Sequence, residues 1–324
     1  MRELIISKND AGQRLDKFLT KALRNMPPAL MYKAIRTKKI KVNRHRAEGK
    51  QVLCEGDSLQ LFIADEFFAD KNATQDCELS RITPRILPIY EDENILLLNK
   101  RPGVLVHEDD TGEGDTLIRH VQAYLYQKGT YDPAEEQSFA PALCNRIDRN
   151  TGGIVIAAKN AEALRVINEK IRDGGIHKFY LCAVHGIPTP RERMLRGFLI
   201  KNSQKNTVQV YDQDPGHGAK EILTGYRVLA TRGNDALLEI NLLTGRTHQI
   251  RAHMAHVGHP LLGDGKYGCI KNDRALGYKH QALYSYRLVF SFKDETPHAL
   301  SYLNGRQFEI PYGDIYFTSL FDGE

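Results

Sequence analysis

The stretch 145–160, NRIDRNTGGIVIAAKN, sets a polar loop bearing Arg146, Asp148 and Arg149 immediately before an apolar run, Ile154–Ala158. Five apolar residues in succession read as a strand buried on both faces. A charged loop carried on a rigid strand is a common seat for chemistry. Two arginines flank Asp148, which favours its ionised form and would make it a ready carboxylate nucleophile. An aspartate that caps a turn or pairs with an arginine fits the same spacing.

Working outward, residues 160–173 repeat apolar positions at Leu164, Ile167 and Ile171, predicting a helix over Asn160–Asp173. IHKFYLCAVHG, residues 176–186, has two apolar faces and reads as another doubly buried strand, with Tyr180 fitting an ordinary core aromatic. Upstream, YEDENILLLNKRPGVLVHED, residues 90–109, predicts strand, Pro102-Gly103 turn, strand. Thr116–Gln127 predicts a helix with Leu117, His120, Val121, Tyr124 and Leu125 inward. Downstream lies LLTGRTHQIRAHMAHVGHPLLGDGKYG, residues 242–268. There Thr247 is the expected cap of a helix running to Val257, stopped by Gly258 and Pro260, with Ile250, Met254 and Val257 as its apolar stripe. Arg251 sits on the flank of that helix, able to reach a carboxylate from another segment. Four histidines, 248, 253, 256 and 259, raise the question of a metal. His253 and His256 share a face, yet no third ligand is fixed beside them and HExxH is absent, so no metal is expected.

The chain has 324 residues, 41% hydrophobic and 26% charged, with a mean hydropathy of −0.44. That composition excludes fibrous, collagenous and disordered classes. No apolar run approaches the length of a membrane helix and MRELIISKND lacks a signal-peptide core, so a cytoplasmic protein without membrane contact is expected. Five cysteines, at 54, 77, 144, 182 and 269, form no CxxC pair and predict reduced, mostly buried thiols. The net charge of +5 is unevenly spread: residues 1–60 hold 14 Lys and Arg against 6 Asp and Glu, and the rest of the chain is slightly acidic. A small cationic module on a near-neutral body points to a nucleic acid.

Within that module, Leu15, Phe18, Leu19, Ala22 and Leu23 follow helical spacing, Met26-Pro27-Pro28 breaks the helix, and Ala29–Thr37 predicts a second one with Leu30, Met31, Ala34 and Ile35 inward. KKIKVN, residues 38–43, alternates as a half-buried strand, Asn43-Arg44-His45 turns, and Ser58–Ile63 closes the unit as a strand. Residues 64–85 turn acidic and lose periodicity, as an interdomain linker does.

The four segments 90–109, 145–160, 176–186 and 242–268, in this order, resemble the motifs of the RluA-type pseudouridine synthases over roughly 86–324. RLDKFL with KKIKVN before GDSLQL resembles the S4 RNA-binding domain over 12–63, and the combination is similar to the large-subunit ribosomal RNA enzymes of that family. GRTHQIRAH argues against the related RsuA type. The resemblance implies an α+β protein: an S4-like α/β module (1–65), a linker (66–85), and a mixed, mainly antiparallel β-sheet catalytic domain with flanking helices (86–324). It implies isomerisation of uridine to pseudouridine without a cofactor. The implied partner is RNA, 23S ribosomal RNA or a pre-50S particle, met by a monomer. It makes Asp148, in Arg146-Ile147-Asp148, the catalytic aspartate; Tyr180 the tyrosine that stacks on the base and is a candidate to move a ribose proton; Arg251 the partner of the aspartate; Ile250 the apolar floor; and Arg146 the filler of the gap left by a flipped uridine. Lys33, Arg36, Lys38, Lys39, Lys41, Arg44 and Arg46 become phosphate contacts, which position without reading sequence. Asn145, Ile147, Gly152 and Cys182 depart from the usual His, Leu, Ser and Ala, and Asn145 is expected to alter how the loop meets RNA. A transfer RNA substrate, a non-catalytic ribosome-assembly factor and a metal-dependent hydrolase are the alternatives.

Overall fold

The computed structural model describes residues 1–324 apart from 69–74, 109–111, 113, 203, 269, 276, 294–295 and 322–324. The N-terminal unit runs β1 (Arg2–Ile5), α1 (Leu15–Ala22), α2 (Pro28–Arg36), β2 (Ile40–Val42), β3 (His45–Arg46) and β4 (Ser58–Leu61). Its four strands pair antiparallel in the order β1-β4-β2-β3. Leu15, Phe18 and Leu19 of α1 and Met31, Ala34 and Ile35 of α2 bury against Ile40, Val42, Leu59 and Leu61, so the helices cover one face of the sheet. Pro28 opens α2 at the position where its missing N–H costs nothing. Leu30, expected inward, is exposed: it falls on the flank of α2, off the arc of Met31, Ala34 and Ile35. Asn43 and Arg44 both take left-handed backbone, the requirement of a two-residue β2–β3 hairpin, and the Asn43 amide bonds Asp57 Oδ1 (2.8 Å).

The second body is built from α3 (Gln75–Arg81), β5 (Pro88–Glu91), β6 (Ile95–Lys100), α4 (Leu117–Gln127), β7 (Ala142–Leu143), β8 (Gly152–Ala158), α5 (Ala161–Arg172), β9 (Ile176–His185), β10 (Glu192–Asn202), β11 (Thr207–Tyr211), β12 (Lys220–Arg232), β13 (Asp235–Leu242), α6 (Gln249–His256), α7 (Ile270–Ala275), β14 (Leu283–Phe290) and β15 (Gln307–Glu309). Its eleven-stranded sheet follows β11-β10-β12-β13-β9-β14-β8-β6-β5, with β7 beside β8 and β15 beside β14. All pairings are antiparallel except β14 with β8. The expected class, mixed α+β with a mainly antiparallel sheet, is what the chain adopts.

Three further expectations are corrected. Part of the stretch read as linker is α3, whose Leu79 is buried with Val121 and Leu125 of α4 while Gln127 Nε2 donates to the Leu79 and Ile82 carbonyls. Among the described residues no strand follows Pro102-Gly103: Leu105 makes one bridge to Thr116, and Gly103 N donates instead to Arg149 O (2.9 Å). Thr247 does not cap α6. His248 stands at that N-cap in left-handed backbone, without a side-chain capping bond. The helix entry is held by Gln249, whose Oε1 accepts from Arg246 N and Thr244 Oγ1 and whose Nε2 donates to Leu223 O and Thr224 Oγ1. The helix expected over Asn160–Asp173 is α5, and Asn160 caps it, accepting from Ala163 N (2.8 Å). Of the cysteines, Cys182 is buried, Cys144 half-buried and Cys54 exposed, all unpaired; Cys77 and Cys269 lie outside the described side chains.

The two bodies touch through polar groups. Ser138 Oγ donates to Asp10 and accepts from Gln13 Nε2, Gln137 donates to Ile5 O, and Arg165 of α5 donates to Ala11 O.

Candidate active site

The loop that joins β7 to β8 is pinned from three sides. Asn145 Oδ1 accepts from Ile156 N (2.8 Å) and its Nδ2 donates to Ile154 O (3.3 Å), so its amide serves as an extra rung on β8 and does not face outward to meet RNA. Thr151 N donates to Asp148 O, closing a turn. Lys100, fully buried at the end of β6, donates to three carbonyls, Arg101 O, Val104 O and Arg149 O, at 2.8–3.1 Å. Burial draws its ammonium down to about 7 while the Asp148 charge opposes the fall. Three acceptors and no donor at Nζ match the protonated form, which we take as its state at neutral pH. Gly152 leaves no room for the usual serine, since a Cβ there would overlap the Tyr284 ring.

Asp148, about a quarter exposed, is met by Arg251 of α6, whose Nη1 lies 2.7 Å from Oδ2. The two arginines beside Asp148 in the chain are not its partners: Arg146 is exposed and Arg149 Nε turns to Gly103 O. Arg251 is buried and is itself gripped by Asp264, Nε to Oδ2 at 2.6 Å and Nη2 to Oδ1 at 2.8 Å. Burial alone would lower the guanidinium, but Asp264 and then Asp148 override it and hold it above its ordinary value. Burial likewise works to raise Asp264, and Arg251 with the Lys266 and Tyr267 amides keeps it below the usual carboxylate range.

Tyr267 packs its ring 5.4 Å from the Arg251 guanidinium, and its hydroxyl accepts from Val208 N (2.9 Å). The same hydroxyl shares a hydrogen bond with Nδ1 of His248, 2.9 Å away, and His248 Nε2 lies 3.8 Å from Asp148 Oδ2. Burial holds the His248 imidazole below its ordinary value, against the pull of Asp148.

Tyr180 of β9 is buried opposite Ser285 of β14 and packs with Ile250, Ile147 and Leu283. Burial pushes its phenol up to about 12, with Asp148 adding to the rise. Asp148, Arg251, Tyr180 and Ile250 therefore converge, whereas Arg146 stands exposed on the rim of the loop. The four histidines diverge: His253 binds Thr224 Oγ1, His256 reaches Asp212, and His259 meets the His185 carbonyl. Among the described residues no three His, Cys, Asp or Glu side chains form a metal-ligand group. Sequence reasoning misses Lys100, Asp264, Tyr267 and His248 as members of the site. A signal for two of them is present in GDGKYG, 263–268, directly after the Arg251 helix.

The seven cations of the N-terminal unit lie on α2, in the Lys38-Lys39 turn and on the β2–β3 hairpin. None forms an ion pair with any described residue.

The family profile described as RNA pseudouridylate synthase matches residues 94–256. The chain is 32% identical over 271 residues to the ribosomal large subunit pseudouridine synthase C of Buchnera aphidicola, covering 83% of this chain and 82% of that protein. It is 30% identical to the protein of the same name from Escherichia coli, covering 84% and 81%. The fold is shared with human RNA pseudouridylate synthase domain containing 4, at a TM-score of 0.55 and 20% identity over 76% of this chain and 94% of that one. With the matched span enclosing Asp148, Tyr180 and Arg251, and relatives aligned over more than four fifths of its length, the chain belongs to the RNA pseudouridylate synthase family.

Proposed function

We propose that the substrate is a uridine of large-subunit ribosomal RNA, met in the cytoplasm, and that Asp148 initiates its isomerisation. The observation that supports this reading is the Asp148–Arg251 pair: a carboxylate with one oxygen on a buried cation and about a quarter of its side-chain surface open to solvent. Conversion to pseudouridine breaks C1′–N1, turns the uracil and forms C1′–C5; the C5 proton is given up and N1 gains one, so the atoms balance without a co-reactant. An ionised Asp148 suits attack at ribose C1′, addition at base C6, or assistance of a glycal intermediate. Tyr180, protonated at neutral pH, and Ile250 give the uracil an apolar wall to turn against. The base must leave its stack, at a cost of a few kcal/mol. Arg146 on the rim and the free cations of an S4-like N-terminal module are suited to offset it.

The test is pseudouridine mapping of total RNA from cells with the wild-type gene, without it, and with Asp148→Asn. Loss of the same large-subunit uridines in the deletion and in Asp148→Asn is expected, with RNA affinity of the variant within about threefold of wild type. Full modification by Asp148→Asn overturns the role of Asp148. Loss confined to transfer RNA overturns the substrate.

A further inference from the structure

On β4 the side chains alternate: Leu59 and Leu61 are wholly buried against the helices, and Ser58, Gln60 and then Phe62 point to the opposite, helix-free face. Phe62 continues the ladder, its N–H donating to Lys39 O (2.8 Å), so its direction is fixed by the sheet. It is nevertheless 43% exposed and takes no part in the core of the unit. Its neighbours on that face follow from the register. Ile40 pairs with Leu61 and Lys41 with both Gln60 and Arg46, which sets Lys39 across from Phe62 and groups Lys41, Gln60 and Arg46 beside it. Lys41 Nζ stands 5.6 Å from the Phe62 ring centroid, at the outer end of cation–π range, and can exchange the ring for a phosphate. The carboxylate on this face, Glu3, lies across β4 and receives the Ser58 hydroxyl.

We propose that Phe62 is a stacking platform for one unpaired nucleobase, with Lys39, Lys41 and Arg46 taking the phosphates on either side. An exposed aromatic ring ringed by unpaired cations is the arrangement that binds single-stranded nucleic acid, because every base offers a π-face and the backbone offers the charge. A duplex hides that π-face, so the platform selects unpaired RNA. This rests on the reading that the N-terminal module contacts RNA and extends that contact from α2 and the hairpin onto the open face of the sheet.

The chain contains no tryptophan, so Phe62→Trp installs a single fluorophore at the platform. The full-length variant is titrated with a short single-stranded oligoribonucleotide and with the duplex of the same sequence. Saturable quenching by the single strand, absent with the duplex, is expected. Phe62→Ala should weaken single-strand binding roughly 5- to 100-fold with an unchanged salt slope, and Lys41→Gln should flatten that slope by about 0.7. Tight single-strand binding without quenching, or with full affinity in Phe62→Ala, overturns the proposal. Turnover assays on the wild type separate the two ideas. An active enzyme whose Phe62→Trp variant shows no quenching by RNA refutes the platform alone. A protein inactive on every RNA refutes the functional reading, while the titration still decides the platform.

Discussion

Asp264 takes two of the three guanidinium nitrogens of Arg251, at 2.6 and 2.8 Å. Only Nη1 is left for Asp148, so the orientation of the Asp148–Arg251 pair is set from behind, by a carboxylate with no exposure to solvent. A fork of fixed geometry is what such a double grip requires, and an ammonium does not reproduce it.

Arg251→Lys should therefore be nearly as inactive as Arg251→Met, each losing at least about a hundredfold in single-turnover rate, although the lysine keeps the charge. Asp264→Asn should lower the rate and also cost about 3 kcal/mol of stability, because the buried guanidinium loses its main anion. Rates at saturating RNA and urea unfolding check both. Wild-type turnover by Arg251→Lys would contradict the orientation role.

His253 supplies a pH dependence. Burial, with His256 adding to it, holds its imidazole at about 4. In the unfolded chain the same group takes up a proton near 6.5. Stability from this group is thus complete above 6.5 and is lost as pH falls from 6.5 through 4, by up to about 3 kcal/mol. Unfolding at pH 7, 5.5 and 4.5 should show wild type losing ground to His253→Gln across that interval. Parallel curves would mean that His253 is not buried neutral.

The cationic side chains of the N-terminal unit predict a salt effect. Replacing Lys33, Arg36 and Lys39 by Gln should reduce the log–log slope of RNA affinity against salt by about 0.7 to 0.9 for each phosphate no longer neutralised, with kcat at saturating RNA unchanged. Filter binding between 50 and 300 mM salt reads it; an unchanged slope assigns those phosphates to other side chains.

The glycines before β8 set a packing limit. A Cβ at Gly153, which has φ of +117°, would overlap the Ser285 carbonyl oxygen, with backbone on the opposing side that has nowhere to move. Gly153→Ala should cost more than about 3 kcal/mol, and Gly152→Ser less, since Gly152 has no positive φ and meets a side chain rather than backbone. Thermal unfolding of the two variants gives the order.

The amphipathic helices and the doubly buried strands are legible in the sequence because their signals are local: Leu15, Phe18 and Leu19 on one arc, Ile154–Ala158 without a polar break. Leu30 and Thr247 mislead where one residue of angular offset, or one backbone in left-handed conformation, decides the outcome. The strand expected after Gly103 fails because its N–H is claimed by Arg149, far along the chain. Asp148, Tyr180 and Arg251 are legible through resemblance to a family, not through spacing. Asp264 is not, because a buried carboxylate in GDGKYG looks like any turn until its partner is seen. Nor is the cation on Asp148, where sequence neighbours lose to a residue on another element.

Ser285 of β14 is in register with Gly153 on one side and Tyr180 on the other. The strand thus stitches the half of the sheet that bears Asp148 to the half that bears Tyr180 and Arg251. It is also the last long strand to leave the ribosome. A growing chain carries Asp148, Tyr180 and Arg251 well before residue 283, yet until β14 is made no strand joins the two halves of its sheet. The continuity of the sheet beneath the site is therefore completed late, by a strand made after all three of those residues.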